Sequence, residues 1–449
     1  MIRGVLRRYS TAGKRQLEES RVPSSQIERI YHYGSLVTSL GLGALSEGMR
    51  RMGSGQPSSG SVLLGEKNIE RLVRKLSRMR GAALKIGQLI SFQDEKVVPK
   101  EIQQVLAALQ SRANYMPRRQ LESVMRNALG PEWMDKFAVF DDKPIAAASI
   151  GQVHRAVLKS NNQQVAVKVQ YPGVASSIDS DLKTISLLLL GSSLLPEGMF
   201  LDKTINNARE ELAWECDYVR EAQCMKRFHT LLAGDAAFTV PRVYDEATAE
   251  TVLTMEFIPG VELNKFEALT QDQRNYVGEN ILRLCLTEIA KFRYMQTDPN
   301  WANFLYDTET NKVGLLDFGA TREYDAEFVE NYVGILKAAV REDREACAEY
   351  SLKLGYFTGF ESQAMKDAHI DSLMVLAEPF RSHGVYKFRD QTVTDRVRSN
   401  ISVMLNERLS PPPEETYGLH RKLSGVFLLC ARLGAQVPCG QLFEEIVGK

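Results

Sequence analysis

Two short stretches decide how this chain is read: Asp298-Pro-Asn-Trp-Ala-Asn303 and, fourteen positions beyond that asparagine, the aspartate of Leu315-Leu-Asp-Phe-Gly319. Between them Phe304-Leu-Tyr and Val313-Gly-Leu-Leu flank a polar turn from Thr308 to Asn311, which is the pattern of a short hairpin. Asp298 and Asn303 lie where the hairpin starts and Asp317 where it ends. A hairpin folds back on itself, so three oxygen-bearing side chains come to one edge. That donor set suits Mg2+, a hard ion content with one or two carboxylates, an amide and phosphate oxygens.

Asp-x-x-x-x-Asn followed by Asp-Phe-Gly is the catalytic-loop and metal-loop pair of protein kinases, and on its own Asp-Phe-Gly says little. Its weight comes from what lies upstream. Ile145-Ala-Ala-Ala-Ser-Ile-Gly-Gln-Val-His-Arg-Ala-Val-Leu, the polar turn Ser160-Asn-Asn and Val165-Ala-Val-Lys-Val-Gln read as a β-hairpin. Val165, Val167 and Val169 alternate with Ala166, Lys168 and Gln170, so Lys168 projects opposite the valines, over a cleft. Three carboxylates could partner it. Glu210 to Gln223 is rich in helix formers, and as one helix it puts Asp217 and Glu221 on nearly one face with Glu215 about a third of a turn away. The pattern does not choose among them. Thr251-Val-Leu-Thr-Met-Glu-Phe-Ile-Pro-Gly is an apolar strand ended by a turn, where a nucleotide base could meet the backbone at Met255, Glu256, Phe257 and Ile258. A plain core strand explains the same residues.

The rest of the chain sets the bounds. At 449 residues, two or three folding units are expected at roughly 150 residues each. A composition 44% hydrophobic and 25% charged is that of a globular protein. Fifty-six Lys plus Arg balance fifty-six Asp plus Glu, which removes the basic field of a dedicated nucleic-acid binder; no nucleic-acid partner is expected. Six scattered cysteines without Cys-x-x-Cys, and no His-Glu-x-x-His, argue for reduced thiols and against a zinc site.

Before the strands come four segments. Residues 1–28 open with Arg3, Arg7, Arg8, Lys14 and Arg15 and carry no acid before Glu18, the profile of a mitochondrial transit segment or of a basic tail. Residues 29–52 form a candidate membrane anchor helix, of about the length that spans a bilayer but weakened by Gly34, Gly41 and Gly43; a helix lying on the protein's own surface fits as well. Residues 53–63 have linker composition. Residues 64–140 read as a helical extension in which Lys85 and Gln88 share a face, and a second helix there starts at Pro117 and leaves at Gly130. The apolar run Ile185 to Leu195 is too short for a span and reads as a buried helix.

Lys85-Ile-Gly-Gln88, Ala146-Ala-Ala-Ser149, Glu215-Cys-Asp217, Asp298 with Asn303, and Asp317-Phe-Gly together resemble the UbiB family of atypical kinase-like proteins, in particular its mitochondrial coenzyme Q branch. The resemblance runs from about Leu64 to the C-terminus. It implies an α+β, protein-kinase-like two-lobed fold: a small β-rich N-lobe over residues 141–260 with a helical insertion, a helical C-lobe over 261–449, and the N-terminal helical extension. It implies Mg2+-dependent binding of ATP/ADP, with Ala146, Ala147, Ala148 and Ser149 over the nucleotide and Lys168 on its phosphates. Glu221 would hold Lys168, Asn303 and Asp317 the metal, and Asp298 would stand at the position of the catalytic base. Lys85, Gln88, Glu215 and Asp217 would form a regulatory group at the mouth of the cleft. The implied setting is the matrix side of the inner mitochondrial membrane, with inner-membrane lipid, isoprenoid precursors and the ubiquinone biosynthesis complex as partners and a homodimer as a candidate assembly.

Departures from an ordinary kinase bear on mechanism. Alanines replace the glycines that let a loop close tightly on phosphates. No His-Arg precedes Asp298, and the apolar-periodic helix through Phe328, Tyr332, Ile335 and Leu336 follows Gly319 too closely for a long activation loop. The expectation is therefore ATP hydrolysis, or small-molecule phosphorylation, coupled to membrane isoprenoid intermediates. The alternatives are a true kinase acting on a lipid or protein, and a nucleotide-binding pseudokinase scaffold.

Overall fold

The computed structural model describes residues 18–23, 28, 31, 34, 35, 38, 114–190 and 201–448. Lys85, Gln88, the linker and most of the transit and anchor segments lie outside the described residues. Among the described residues no helix is long and apolar enough to cross a membrane. The chain divides into two units, one of residues 1–195, 205–220 and 243–257, the other of 196–204, 221–242 and 258–449.

In the first unit, helix α1 (Arg118–Leu129) follows Pro117 and ends at Gly130, whose φ of 95° is open to glycine at little cost. Strands β1 (Phe137–Phe140), β2 (Ala146–Ala147), β3 (Gly151–Leu158) and β4 (Gln164–Gln170) come next, then helices α2 (Val174–Leu190) and α3 (Leu201–Cys216). Helix α4 (Tyr218–Leu231) starts in this unit, and strand β5 (Val252–Glu256) completes it. The sheet is antiparallel, in the order β1-β3-β4-β5, with β2 pairing on β3. It begins at Phe137, four residues ahead of the boundary expected at 141. The run from Ile185 is helical as far as Leu190; its remainder lies outside the described residues.

Among the described residues the second unit is helical apart from three small sheets, one of them the two-residue pair of Tyr386–Lys387 with Gln436–Val437. After β6 (Val261–Glu262), helix α5 (Gln271–Thr287) is started by a capping box in which Thr270 and Gln273 exchange side-chain and backbone hydrogen bonds. A π-helical turn, Glu288–Phe292, leads into β7 (Tyr294–Gln296). Strands β8 (Phe304–Asp307) and β9 (Lys312–Leu315) form the expected hairpin, and β10 (Thr321–Glu323) pairs antiparallel with β7. Phe238–Thr239, β9, β8 and β6 make a four-stranded sheet in that order. Helices α6 (Ala326–Val340), α7 (Arg344–Leu354), α8 (Gln363–Leu376), α9 (Val393–Glu407), α10 (Glu414–Leu433) and α11 (Cys439–Ile446) follow. Ile335, Cys347, Tyr356, Met365 and Leu373 belong to one core cluster among them. All six cysteines are buried thiols, in keeping with the reduced state expected.

Two histidines sit in that helical packing. The ring of His369 lies against those of Tyr356 and Phe357, with Nε2 3.1 Å from Ser351 Oγ, and His420 Nε2 is 3.1 Å from the Tyr356 hydroxyl. Burial, helped by Arg408, holds His369 down to about 3 and His420 to about 4. In the unfolded chain both would titrate near 6.5, so the unfolded state takes up protons first as pH falls. The stability these rings contribute is whole above pH 6.5 and is lost as pH falls towards 4 and then 3. Thermal unfolding followed by circular dichroism should show a midpoint that drops between pH 7 and 5, with a shallower slope in His369→Gln.

Candidate functional site

The strand-rich unit places Lys168 as its alternation demands. Val165, Val167 and Val169 are fully buried on one face, and on the other Lys168 is only 7% exposed. A cross-strand row, Ala146, Val153, Lys168, Leu253, puts the Ala-rich segment on the lysine's face. Two residues on, Gln170 Nε2 donates to the Cys216 carbonyl at 2.8 Å and so seats the end of α3 on that face. The Lys168 ammonium lies 5.1 Å from the centroid of the Tyr218 ring, a cation–π contact with a fully buried tyrosine. A Cβ at Gly151 would lie 2.6 Å from both the Tyr218 hydroxyl and the Val169 carbonyl oxygen. Close backbone approach therefore demands glycine there.

The Ala-rich segment is a hydrogen-bonded hairpin. Ala146 and Ala147 pair with β3, the Ala148 N–H donates to the Gly151 carbonyl at 2.7 Å, and Ser149 and Ile150 form the tip. Below it a buried relay anchors β3. Met116 N–H donates to Gln152 Oε1 at 2.7 Å, Gln152 Nε2 lies 2.8 Å from His154 Nε2, and His154 Nδ1 lies 2.7 Å from the Asp141 carbonyl. An amide N–H₂ facing Nε2 and a carbonyl facing Nδ1 require the neutral ring with its proton on Nδ1, and burial lowers the His154 pKa accordingly.

The continuous helix expected from Glu210 to Gln223 is not formed. Helix α3 stops at Cys216, and Asp217, exposed, accepts the Arg220 N–H on Oδ1 at 2.9 Å, capping α4. An aspartate competes well for free backbone donors, so it breaks a helix that propensity alone would continue. Asp217 thus shares no helix face with Glu221. Glu215 is half-buried on the last turn of α3, and Glu221 is wholly buried in the first turn of α4. Along β5, Met255 is buried and Glu256 exposed, while the Phe257 N–H donates to the Gln164 carbonyl at 3.1 Å and is not a donor for a base. Ile258 belongs to the second unit.

In that unit the β8–β9 register, Phe304 opposite Leu315, brings both motif ends together. The Leu316 N–H donates to the Asn303 carbonyl at 3.0 Å, one residue short of Asp317. Asn303 Nδ2 donates to Asp298 Oδ2 at 3.1 Å, which leaves Asn303 Oδ1 as an acceptor for a cation. Asp298 Oδ1 takes the Asn300 N–H at 3.2 Å, and Asp317 Oδ1 takes the Gly319 N–H at 3.0 Å. All three motif side chains are half-buried. Among the described residues no group of three or more His, Cys, Asp or Glu could hold a metal unaided. An amide and two carboxylates fit magnesium, which completes its shell with phosphate oxygens and water.

Sequence reasoning missed the floor of this loop, reading the chain beyond it only as part of a helical C-lobe over 261–449. Helix α10 lies directly against residues 297–299. A Cβ at Gly418 would come 3.0 Å from Thr297 Cγ2, one at Gly425 would come 2.1 Å from Pro299 Cβ, and Arg421 donates weakly to the Thr297 carbonyl at 3.4 Å. Arg432 stacks 4.9 Å over the Trp301 ring. Gly418, Arg421, Lys422 and Gly425 recur at three and four residue spacings, and that face of small and basic residues was the available signal.

Residues 108–351 match the model of the ABC1 atypical kinase-like domain. The chain is 55% identical over 445 residues to the mitochondrial atypical kinase COQ8 of Saccharomyces cerevisiae, covering 98% of this chain and 89% of that one. The chain belongs to the ABC1 atypical kinase-like family. The resemblance to the UbiB proteins and their mitochondrial coenzyme Q branch is borne out. The mitochondrial atypical kinase COQ8B of Rattus norvegicus is 48% identical, covering 95% of this chain and 81% of its own. A solved structure, the Rv3197–erythromycin complex from Mycobacterium tuberculosis, is similar with a TM-score of 0.60 at 26% identity, covering 86% of this chain and 98% of that one. The fold of this ABC1 chain is α+β, kinase-like and two-lobed.

Two glycines test the geometry. Gly425→Ala forces Pro299, next to Asp298, to move; overpacking of this kind costs about 1–3 kcal/mol. Urea unfolding should show the lowered midpoint, whereas Gly384→Ala, with nothing within 4 Å, should unfold like the parent. Gly151→Ala, which meets a backbone carbonyl, should be at least as damaging.

Proposed function

We propose that this protein is an ATPase of the atypical kinase type that binds Mg-nucleotide and supports mitochondrial coenzyme Q biosynthesis, coupling hydrolysis to membrane isoprenoid intermediates or to the biosynthetic complex. The observation that carries the reading is the β8–β9 hairpin, which gathers Asp298, Asn303 and Asp317 at one end. Support against a peptide substrate comes from the stretch after Gly319: residues 320–325 hold only β10 and the Asp325 cap of α6, with no length left for an activation loop. The mitochondrial names of the relatives support the setting.

In this reading Lys168 engages the phosphates, with Tyr218 packed on it to limit its rotamers. Glu221, three residues after Tyr218 and so on the same face of α4, is the carboxylate that would hold it. Ala146 to Ser149 cover the nucleotide, and Met255, Glu256 and Ile258 remain for the base. Asn303 and Asp317 would hold Mg2+, which when bound neutralises charge on the phosphate oxygens. Asp298 orients a water and accepts its proton as the water oxygen bonds to the γ-phosphorus and the bond to the bridging oxygen breaks, releasing ADP and phosphate. Lys85 and Gln88, with Glu215 and Asp217, regulate access; inner-membrane lipid on the matrix side, and a second copy, are the remaining partners.

Steady-state phosphate release with Mg-ATP tests this. Asp317→Asn should abolish release, and Asp298→Asn should lower it by about 10²- to 10⁴-fold. Label from γ-phosphate should appear as free phosphate rather than in protein; label in a lipid extract would identify a lipid kinase instead. Release unaffected by Asp317→Asn removes the metal assignment.

A further inference from the structure

A pair of buried charges, Glu288 and the Lys422 of the α10 face, lies beneath the Asp298 loop, outside the kinase-like motifs. Glu288 opens the π-helical turn after α5, and Lys422 lies midway along α10; they are 1% and 2% exposed. Their charged atoms, Lys422 Nζ and Glu288 Oε2, are 3.8 Å apart. Both converge on Gln296, the last residue of β7. Lys422 Nζ donates to Gln296 Oε1 at 3.0 Å, and the Gln296 backbone N–H donates to Glu288 Oε1 at 3.2 Å. Gln296 is thus held by its side chain from one helix and by its backbone from another, two residues ahead of Asp298. The lysine also lies over the Phe304 ring, 5.4 Å from its centroid, at the far end of the same loop.

Stability does not account for this arrangement. Taking two charges out of water costs several kcal/mol each, and an apolar set of similar volume is often as stable or more so. Glu288 Oε2 and Gln296 Nε2, both buried, make no hydrogen bond among the described residues, a further cost that an apolar set would avoid. Burial pushes the Glu288 carboxyl up to about 7, against the pull of Lys422, which is the mark of a costly site. The carboxylate also sits on a π-turn, a rare irregularity that is frequent at functional sites.

We propose that Lys422 and Glu288 are positioning residues for the Asp298 loop, clamping Gln296 so that Asp298 stands at a fixed distance from the reacting phosphate. The inference rests on the reading of Asp298 as the proton acceptor. Displacements of about 1 Å at such a group can cost about 10²-fold in rate.

The test uses the full chain and the double variant Lys422→Met with Glu288→Gln, which removes both charges and keeps an acceptor for the Gln296 N–H. Its thermal midpoint should stay near that of the parent. Deuterium exchange of the peptide spanning 294–303 should quicken by about tenfold while that of 304–315 does not change, since a loosened loop opens locally. The kcat for phosphate release should fall by about 10- to 100-fold with KM for Mg-ATP nearly unchanged. Parental exchange, or parental kcat despite faster exchange, overturns the proposal, as does a rise in KM with kcat intact. Should the double variant not fold, Glu288→Gln alone gives the same two readouts. A parent chain that releases no phosphate defeats the hydrolysis reading, and exchange alone then decides whether the pair fixes the loop.

Discussion

Phe304 opposite Leu315 is the pairing on which the proposed chemistry of this chain depends. A hairpin register is all or nothing, because a slip by one residue turns every side chain to the other face. With this register Tyr306 and Val313 are buried, and the two motif ends leave the sheet side by side. Asn303 and Asp317 then need no long-range folding event to meet; the ladder that joins Asn303 to Leu316 brings them together. Asp298 is tied in by Asn303 itself, so the amide N–H₂ serves the loop while the amide oxygen takes no part in that bond.

The strand-rich unit solves a different problem, that of aiming a flexible cation. A lysine side chain carries considerable rotamer freedom, and a site that relies on one must restrain it. Here the restraint is steric and electrostatic together. Tyr218 lies under the ammonium, and its hydroxyl comes close to Gly151, a position where only glycine leaves room. Helix α3 ends at Cys216 and α4 starts at Tyr218 behind the Asp217 cap, with Tyr218 on the lysine's face of the sheet. An unbroken helix would carry the tyrosine elsewhere. The acid that looked like a candidate partner for Lys168 is instead the cap that makes the break.

Helix α10 shows how a distant segment can belong to a local site. Its glycines admit Thr297 and Pro299 at distances a β-carbon would forbid, and its basic residues reach the Thr297 carbonyl and the Gln296 side chain. The loop's floor is thereby built more than a hundred residues after the loop itself. The family match spans 108–351 and stops short of it, while the similarity to the yeast relative runs on through it.

What the amino-acid order determined unaided was whatever depends on neighbours in the chain. The alternation around Lys168, the hairpin between Asn303 and Asp317, the glycine exit at 130 and the short passage from Gly319 to α6 are all set by periods of two or 3.6 residues and by turn chemistry. Those forces act over a few residues and leave a readable trace. The end of α3 at Asp217 is also local, a cap on a donor three residues on that helix propensity hid. Two matters were decided only by the tertiary structure: the loss of the Phe257 N–H to Gln164, and the glycine and lysine face of α10 beneath the Asp298 loop. Each turns on which distant groups compete for a backbone donor or a cubic ångström of space, and a linear pattern carries no record of that competition.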